Sequence, residues 1–164
     1  MERLCVIFGG ASCEHDISII TGMQLCKNLE SKYKLEKIYL GLDNNFYLAT
    51  GIEDISFFVD KSKIKLKQII LHNGAIYFKN MFFKKYCDIA VIINCCHGGV
   101  GEDGDLHSFF AMNKIRSTDA GSLPSHIAMD KNLTKTLLKD IVPTIKGIKI
   151  LRDKEGIFQK VLDK

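Results

Sequence analysis

Asp88-Ile89-Ala90-Val91-Ile92-Ile93-Asn94 runs directly into Cys95-Cys96-His97-Gly98-Gly99-Val100-Gly101-Glu102-Asp103-Gly104. A short, unbroken apolar run is what a strand covered on both faces requires, and such strands belong to parallel sheets. From Gly104 to Asn113, Leu106, Phe109, Phe110 and Met112 recur with helical spacing. Glu102 and Asp103 stand where the amino terminus of that helix favours negative charge. Strand, glycine-rich loop and helix therefore follow one another here.

The same order opens the chain. Leu4 to Phe8 is apolar and closed by Gly9-Gly10, and from Ile17 the residues Ile20, Met23, Leu25 and Leu29 predict a helix. Ser12, Asp16 and Ser18 offer capping side chains near its start. Leu35, Ile38, Leu40 and Leu42 predict the next strand, so the first forty residues read as a βαβ unit. In an open parallel sheet, ligands settle beyond the carboxyl ends of the strands, and both glycine loops belong there.

Between Gly51 and Lys85 the pattern is less regular. Ile69 to Leu71 and Ala75 to Phe78 flank His72-Asn73-Gly74, which predicts a hairpin insertion. After Gly121, Ser125 to Lys139 reads as one helix closed by Pro143, and Gly147 to Arg152 as a short strand.

At 164 residues, 46% of them hydrophobic, the chain is long enough for one cored domain and part of a second. The charge of +4 is mild and its basic residues are scattered, so nothing demands a nucleic-acid or anionic-membrane partner. No apolar run approaches the roughly 20 residues of a bilayer span, and the first residues lack the features of a secretory signal. A cytoplasmic location is expected. The six cysteines contain no C-x-x-C pair and are expected to be reduced thiols.

Three motifs carry chemistry. In Gly9-Gly10-Ala11-Ser12-Cys13-Glu14-His15-Asp16-Ile17-Ser18, glycines let a ligand approach the backbone and Glu14 is an acid able to hold an ammonium group; alone, the pattern better suits a plain turn with a surface acid. In His97 to Gly104, four glycines in eight residues bracket one histidine and two acids that could fix its tautomer. The plainer alternative makes Asp103 a helix cap and His97 a core histidine. Ala128-Met129-Asp130-Lys131 is uninformative by itself, since Lys131 stands near Lys135 and Lys139.

Together and in order, these motifs resemble the D-alanine:D-alanine ligases and the related D-alanine:D-lactate and D-alanine:D-serine ligases, over nearly the whole chain. The resemblance implies an α/β fold: a Rossmann-like pre-ATP-grasp domain over 1–120, with a parallel sheet flanked by helices, and the incomplete beginning of an ATP-grasp domain over 121–164. It implies an ATP- and magnesium-dependent enzyme of peptidoglycan precursor synthesis acting on D-alanine. Glu14 would bind the ammonium of the first D-alanine and Ile17 would meet its methyl, with Ser18 and Gly98 beside them. His97 would lie next to its carboxylate, Glu102 would orient His97, and Lys131 would reach the ATP phosphates. The magnesium ligands of such enzymes fall beyond this sequence, so the chain is expected to be an amino-terminal fragment, inactive alone. The resemblance leaves room for a homodimer.

The match breaks in one stretch. The family pattern continues with Gln-Gly, an acid in the helix and Ile-Pro-Tyr-x-Gly, where this chain has His107-Ser108, Ala111 and Ile115-Arg116-Ser117-Thr118-Asp119. That stretch leaves the second substrate open among D-alanine, D-serine and D-lactate. It also keeps a different reading in play, a binding module of this fold without catalysis. A dinucleotide-binding domain is disfavoured, because no G-x-G-x-x-G follows the first strand.

Overall fold

The structure, a computed structural model, describes residues 2–59, 66–80 and 82–147. It divides into two compact units, 1–126 and 127–164. The first opens with strand β1 (Glu2–Gly9), helix α1 (His15–Leu29) and strand β2 (Leu35–Leu40). Strands β3 (Phe46–Leu48), β4 (Lys67–His72), β5 (Ala75–Phe78) and β6 (Lys85–Asn94) follow, then helix α2 (Asp105–Met112), and the boundary between the units falls within helix α3 (Ser122–Met129). The second unit contains α4 (Lys131–Leu138).

The α/β class holds, but the sheet is mixed rather than wholly parallel. β1 lies at its centre with β2 and β6 parallel on either side. β3, β4 and β5 then pair antiparallel from β2 round to β6, which closes the sheet into a barrel. The β4–β5 hairpin expected as an insertion is therefore part of the closure. Its turn is made by Asn73 (φ 45°) and Gly74 (φ 74°), both in the left-handed region that a tight two-residue hairpin needs.

Side chains of the central strand alternate between two cores. Cys5 and Ile7 join Ile38, Leu40, Ile69, Leu71, Ile76 and Ile92, where α2 adds Leu106 and Phe110. Val6 and Phe8 face the other way, onto Ile19, Met23 and Cys26 of α1 and onto Tyr39 and Phe58. This two-sided burial is why β1 reads as a continuous apolar run. α1 crosses β1 so closely that a Cβ on Gly22 would sit 2.5 Å from Phe8.

After α2 the chain returns alongside β6: Ser117 bridges Ile92 in parallel, and the amides of Ile92 and Thr118 bond across to Arg116 and Ile92 carbonyls. Strand, helix and parallel return thus occur twice, once through α1 and once through α2. Both leave their connecting loops at the carboxyl end of the sheet.

One expected helix is two. Asp130 adopts an extended conformation (φ −90°, ψ 95°), and its carboxylate accepts from the amides of Asn132 and Leu133, capping α4. Satisfying those free amides locally outcompetes continuing the helix, as aspartate readily does. Lys131 is consequently the first residue of α4. The expected strand at 147–152 lies, beyond Gly147, outside the described residues. No described helix is long and apolar enough to cross a membrane.

Candidate functional site

The first glycine loop leaves β1 at Gly9 (φ 98°), where a Cβ would fall 2.4 Å from the Leu40 carbonyl. Only glycine fits that turn. His15 beneath it is almost fully buried, with Nδ1 2.6 Å from the Gly10 carbonyl and Nε2 3.2 Å from the Tyr39 hydroxyl. Both ring nitrogens are occupied, so His15 braces the loop.

Two serines join this loop to the second one. Ser18, fully buried, accepts a hydrogen bond from the Gly9 amide and donates one to the Cys95 carbonyl, both 2.7 Å. Ser12 donates to the His97 carbonyl at 2.5 Å while accepting from the Glu14 amide at 3.2 Å. Gly98 (φ 67°) completes the contact: a Cβ there would come within 2.9 Å of the Glu14 carboxylate and 3.3 Å of the Ser12 Cβ.

Glu14 stands at the amino-terminal end of α1, and Ile17 and Thr21 follow at spacings that keep them on one face. Glu14 is exposed and so is Ile17, at 55%. Thr21 Oγ1 lies 3.2 Å from His97 Nε2, while His97 Nδ1 is 3.5 Å from the Glu102 carboxylate. A histidine held between a hydroxyl and a carboxylate has its orientation fixed from both sides. The side chains of His97 and Glu102 remain 35% and 44% exposed, open to a ligand.

Beside them is an open cleft of about 330 Å³, lined by Thr21, Asn94, His97, Glu102, Asp119 and Ser125 among others. Cys95 and Cys96 also border it, but burial pushes both thiols up, Cys96 to about 12. They stay protonated at neutral pH and are poor nucleophiles. All six cysteines are free.

Of the residues singled out in the sequence, Glu14 lies against Gly98 and His97 beside Glu102, while Ile17 follows Glu14 along α1. Ser18 is placed beneath them, with its hydroxyl engaged by backbone on both sides. Lys131 belongs to the second unit. The sequence reading missed Thr21, Asn94 and Asp119. Asn94, a polar residue ending an apolar strand, was the signal for one; the seven-residue step from Glu14 was the signal for Thr21. Among the described residues, no group of three or more His, Cys, Asp or Glu side chains could hold a metal ion.

These loops fall within residues 3–120, which match the family model described as D-ala D-ala ligase N-terminus. The chain belongs to that ligase family. A curated D-alanine--D-alanine ligase of Helicobacter pylori (strain P12) is 37% identical over 152 residues, covering 91% of this chain and 42% of the relative. One from Leptospira interrogans is 35% identical over 133 residues, covering 80% and 37%. The chain thus spans about two fifths of the length of the curated ligases it matches. The crystal structure of the D-Alanine-D-Alanine Ligase from Helicobacter pylori superposes with a TM-score of 0.86 at 30% identity, over 99% of this chain and 49% of that one. A D-Ala:D-Ser ligase from Enterococcus faecalis (TM-score 0.79, 20% identity, 99% and 48% covered) shares the fold.

Proposed function

We propose that this chain forms the part of an ATP-dependent D-alanine:D-alanine ligase that holds the first D-alanine, with residues 1–120 as a Rossmann-like pre-ATP-grasp domain and 121–164 as the beginning of an ATP-grasp domain. The observation that carries this reading is the junction of the two loops, where Ser12 binds the His97 backbone and the Glu14 carboxylate lies against Gly98. An acid against Gly98, with a histidine one residue before that glycine, suits the two ends of a zwitterionic amino acid.

In this reading Glu14 accepts hydrogen bonds from the substrate ammonium. Such a charge-assisted contact is worth about 1.5–3 kcal/mol once water is excluded, and less while Glu14 stays as exposed as it is here. Ile17, three residues on, presents an apolar surface to the methyl group. With Glu102 holding Nδ1, His97 turns its Nε2–H from the Thr21 hydroxyl to the substrate carboxylate and steadies negative charge there. Ser18 sets the spacing of the loops from below and does not itself touch the substrate. ATP supplies the phosphoryl group that turns the carboxylate into an acyl phosphate, open to attack by the amine of the second substrate. Lys131, a flexible point charge, is assigned to the ATP phosphates. The described residues hold no cluster fit for magnesium.

The enzyme would act in the cytoplasm in peptidoglycan precursor synthesis, with room for a homodimer. D-serine or D-lactate as second substrate is the alternative within the same chemistry. The test is an NMR titration of the chain with D-alanine to about 10 mM, the weak-affinity range expected of a small ligand. Stereospecific shifts at Ile17, His97 and Gly98, absent with L-alanine, support the proposal. Equal shifts with both enantiomers, or none at these residues, refute it.

A further inference from the structure

The positions at which this chain departs from the family pattern meet each other in space. His107 of α2, where the pattern has glutamine, places Nδ1 3.7 Å from Asp119 Oδ2 and 3.2 Å from Ser117 Oγ. Asp119 stands where the pattern has glycine, and its side chain is only 12% exposed. Its Oδ2 is buried and without a hydrogen-bond partner, and the His107 ring at 3.7 Å can compensate it when protonated. A glycine there could supply neither carboxylate oxygen.

The other oxygen, Oδ1, accepts from Asn94 Nδ2 at 2.7 Å. Asn94 is the last residue of β6, and its side-chain amide spans the base of the His97 loop. Nδ2 also donates to the Gly101 carbonyl at 2.8 Å, and Oδ1 accepts from the Cys96 amide at 2.9 Å. Asp119 therefore acts on both ends of the segment that carries His97.

The geometry points to His107 and Asp119 as a coupled pair of positioning residues that fixes the His97 loop through Asn94. This rests on the reading of His97 as a substrate-facing residue, but the contacts themselves do not depend on it. Burying an acid beside a histidine is costly unless the two are paired, so the two departures support each other: protonated His107 compensates Asp119, and Asp119 orients Asn94. Without the acid, the Asn94 amide keeps one fewer partner, and the Cys96 hydrogen bond loosens.

Hydrogen exchange and histidine NMR on the whole chain test this without substrate, so a failed D-alanine titration leaves the outcome legible and the reverse also holds. In Asp119→Ala, exchange at the Cys96 amide should quicken about tenfold, consistent with weakening one hydrogen bond, and the His97 imidazole resonances should shift. The Gly9 amide, held by Ser18, should be unchanged. Asp119→Asn keeps an acceptor for Asn94 and should restore both signals to near wild type. Unchanged Cys96 and His97 signals in Asp119→Ala, or equal effects of alanine and asparagine, overturn the proposal. Should Asp119→Ala fail to fold, seen as loss of Gly9 protection, His107→Gln is read instead: a His97 shift with Gly9 intact supports the pair, and no shift overturns it.

Discussion

The Ser12 hydroxyl donates to the His97 carbonyl at 2.5 Å, joining residues 85 positions apart. The bond makes one site of two loops that lie in different strand-loop-helix units. The Glu14 carboxylate is held against Gly98 by this contact and by Ser18 below it, so the junction is a product of tertiary structure and not of either motif alone.

Ser18→Ala should destabilise the first unit by about 2 kcal/mol, because it leaves the buried Gly9 amide and Cys95 carbonyl each without a partner. Thermal unfolding followed by circular dichroism measures the loss. An unchanged midpoint would show that the hydroxyl does not bridge the loops.

Gly22→Ala sets helix propensity against packing. Alanine favours a helix by about 1 kcal/mol over glycine, but its Cβ would lie 2.5 Å from Phe8, which is buried against α1. The clash should win, with a net loss of about 1–2 kcal/mol on the same assay. Stabilisation would mean that α1 stands further from β1.

Glu36 is fully buried, ion-paired with Arg3 and hydrogen-bonded to Thr50 and Tyr86. Glu36→Ala should cost about 3 kcal/mol, the lower end for a broken buried pair, since Arg3 keeps a third of its surface in water. Chemical denaturation would measure it. A loss below about 1 kcal/mol would assign the pair a surface-like role.

Alkaline conditions should weaken the fold through its thiols. Burial pushes Cys26 and Cys96 up from 9.0 to about 12 and Cys87 to about 11. The folded state then binds more protons than the unfolded one between those values, so stability is intact below pH 9 and falls as pH climbs toward about 12. Denaturation midpoints across that range, with Cys26→Ala as a shallower comparison, check the sign. At pH 8, a thiol reagent should modify Cys13, the exposed cysteine, well before the buried five.

Much of this arrangement was legible in the residues. β1, α1, β2 and β6 follow from apolar runs and helical spacing, and Asn73-Gly74 announced its hairpin. Closure of the barrel was not legible, because β3, a three-residue strand, pairs through tertiary contacts that no local pattern records. The break at Asp130 was hidden by periodicity that runs through Met129 and Leu133, although aspartate is itself a capping residue. At the site, glycine density marked both loops, yet nothing in sequence could place Asp119 against His107 and Asn94. That depends on the chain returning beside β6 at Ser117, a pairing between residues 25 apart along the chain.

A crystal structure of the chain with D-alanine tests the proposed first-substrate site most directly. The expected result is one D-alanine with its ammonium on the Glu14 carboxylate, its methyl toward Ile17 and its carboxylate beside His97. D-alanine bound elsewhere, or bridging neither Glu14 nor His97, would contradict a single first-substrate site built from the two loops.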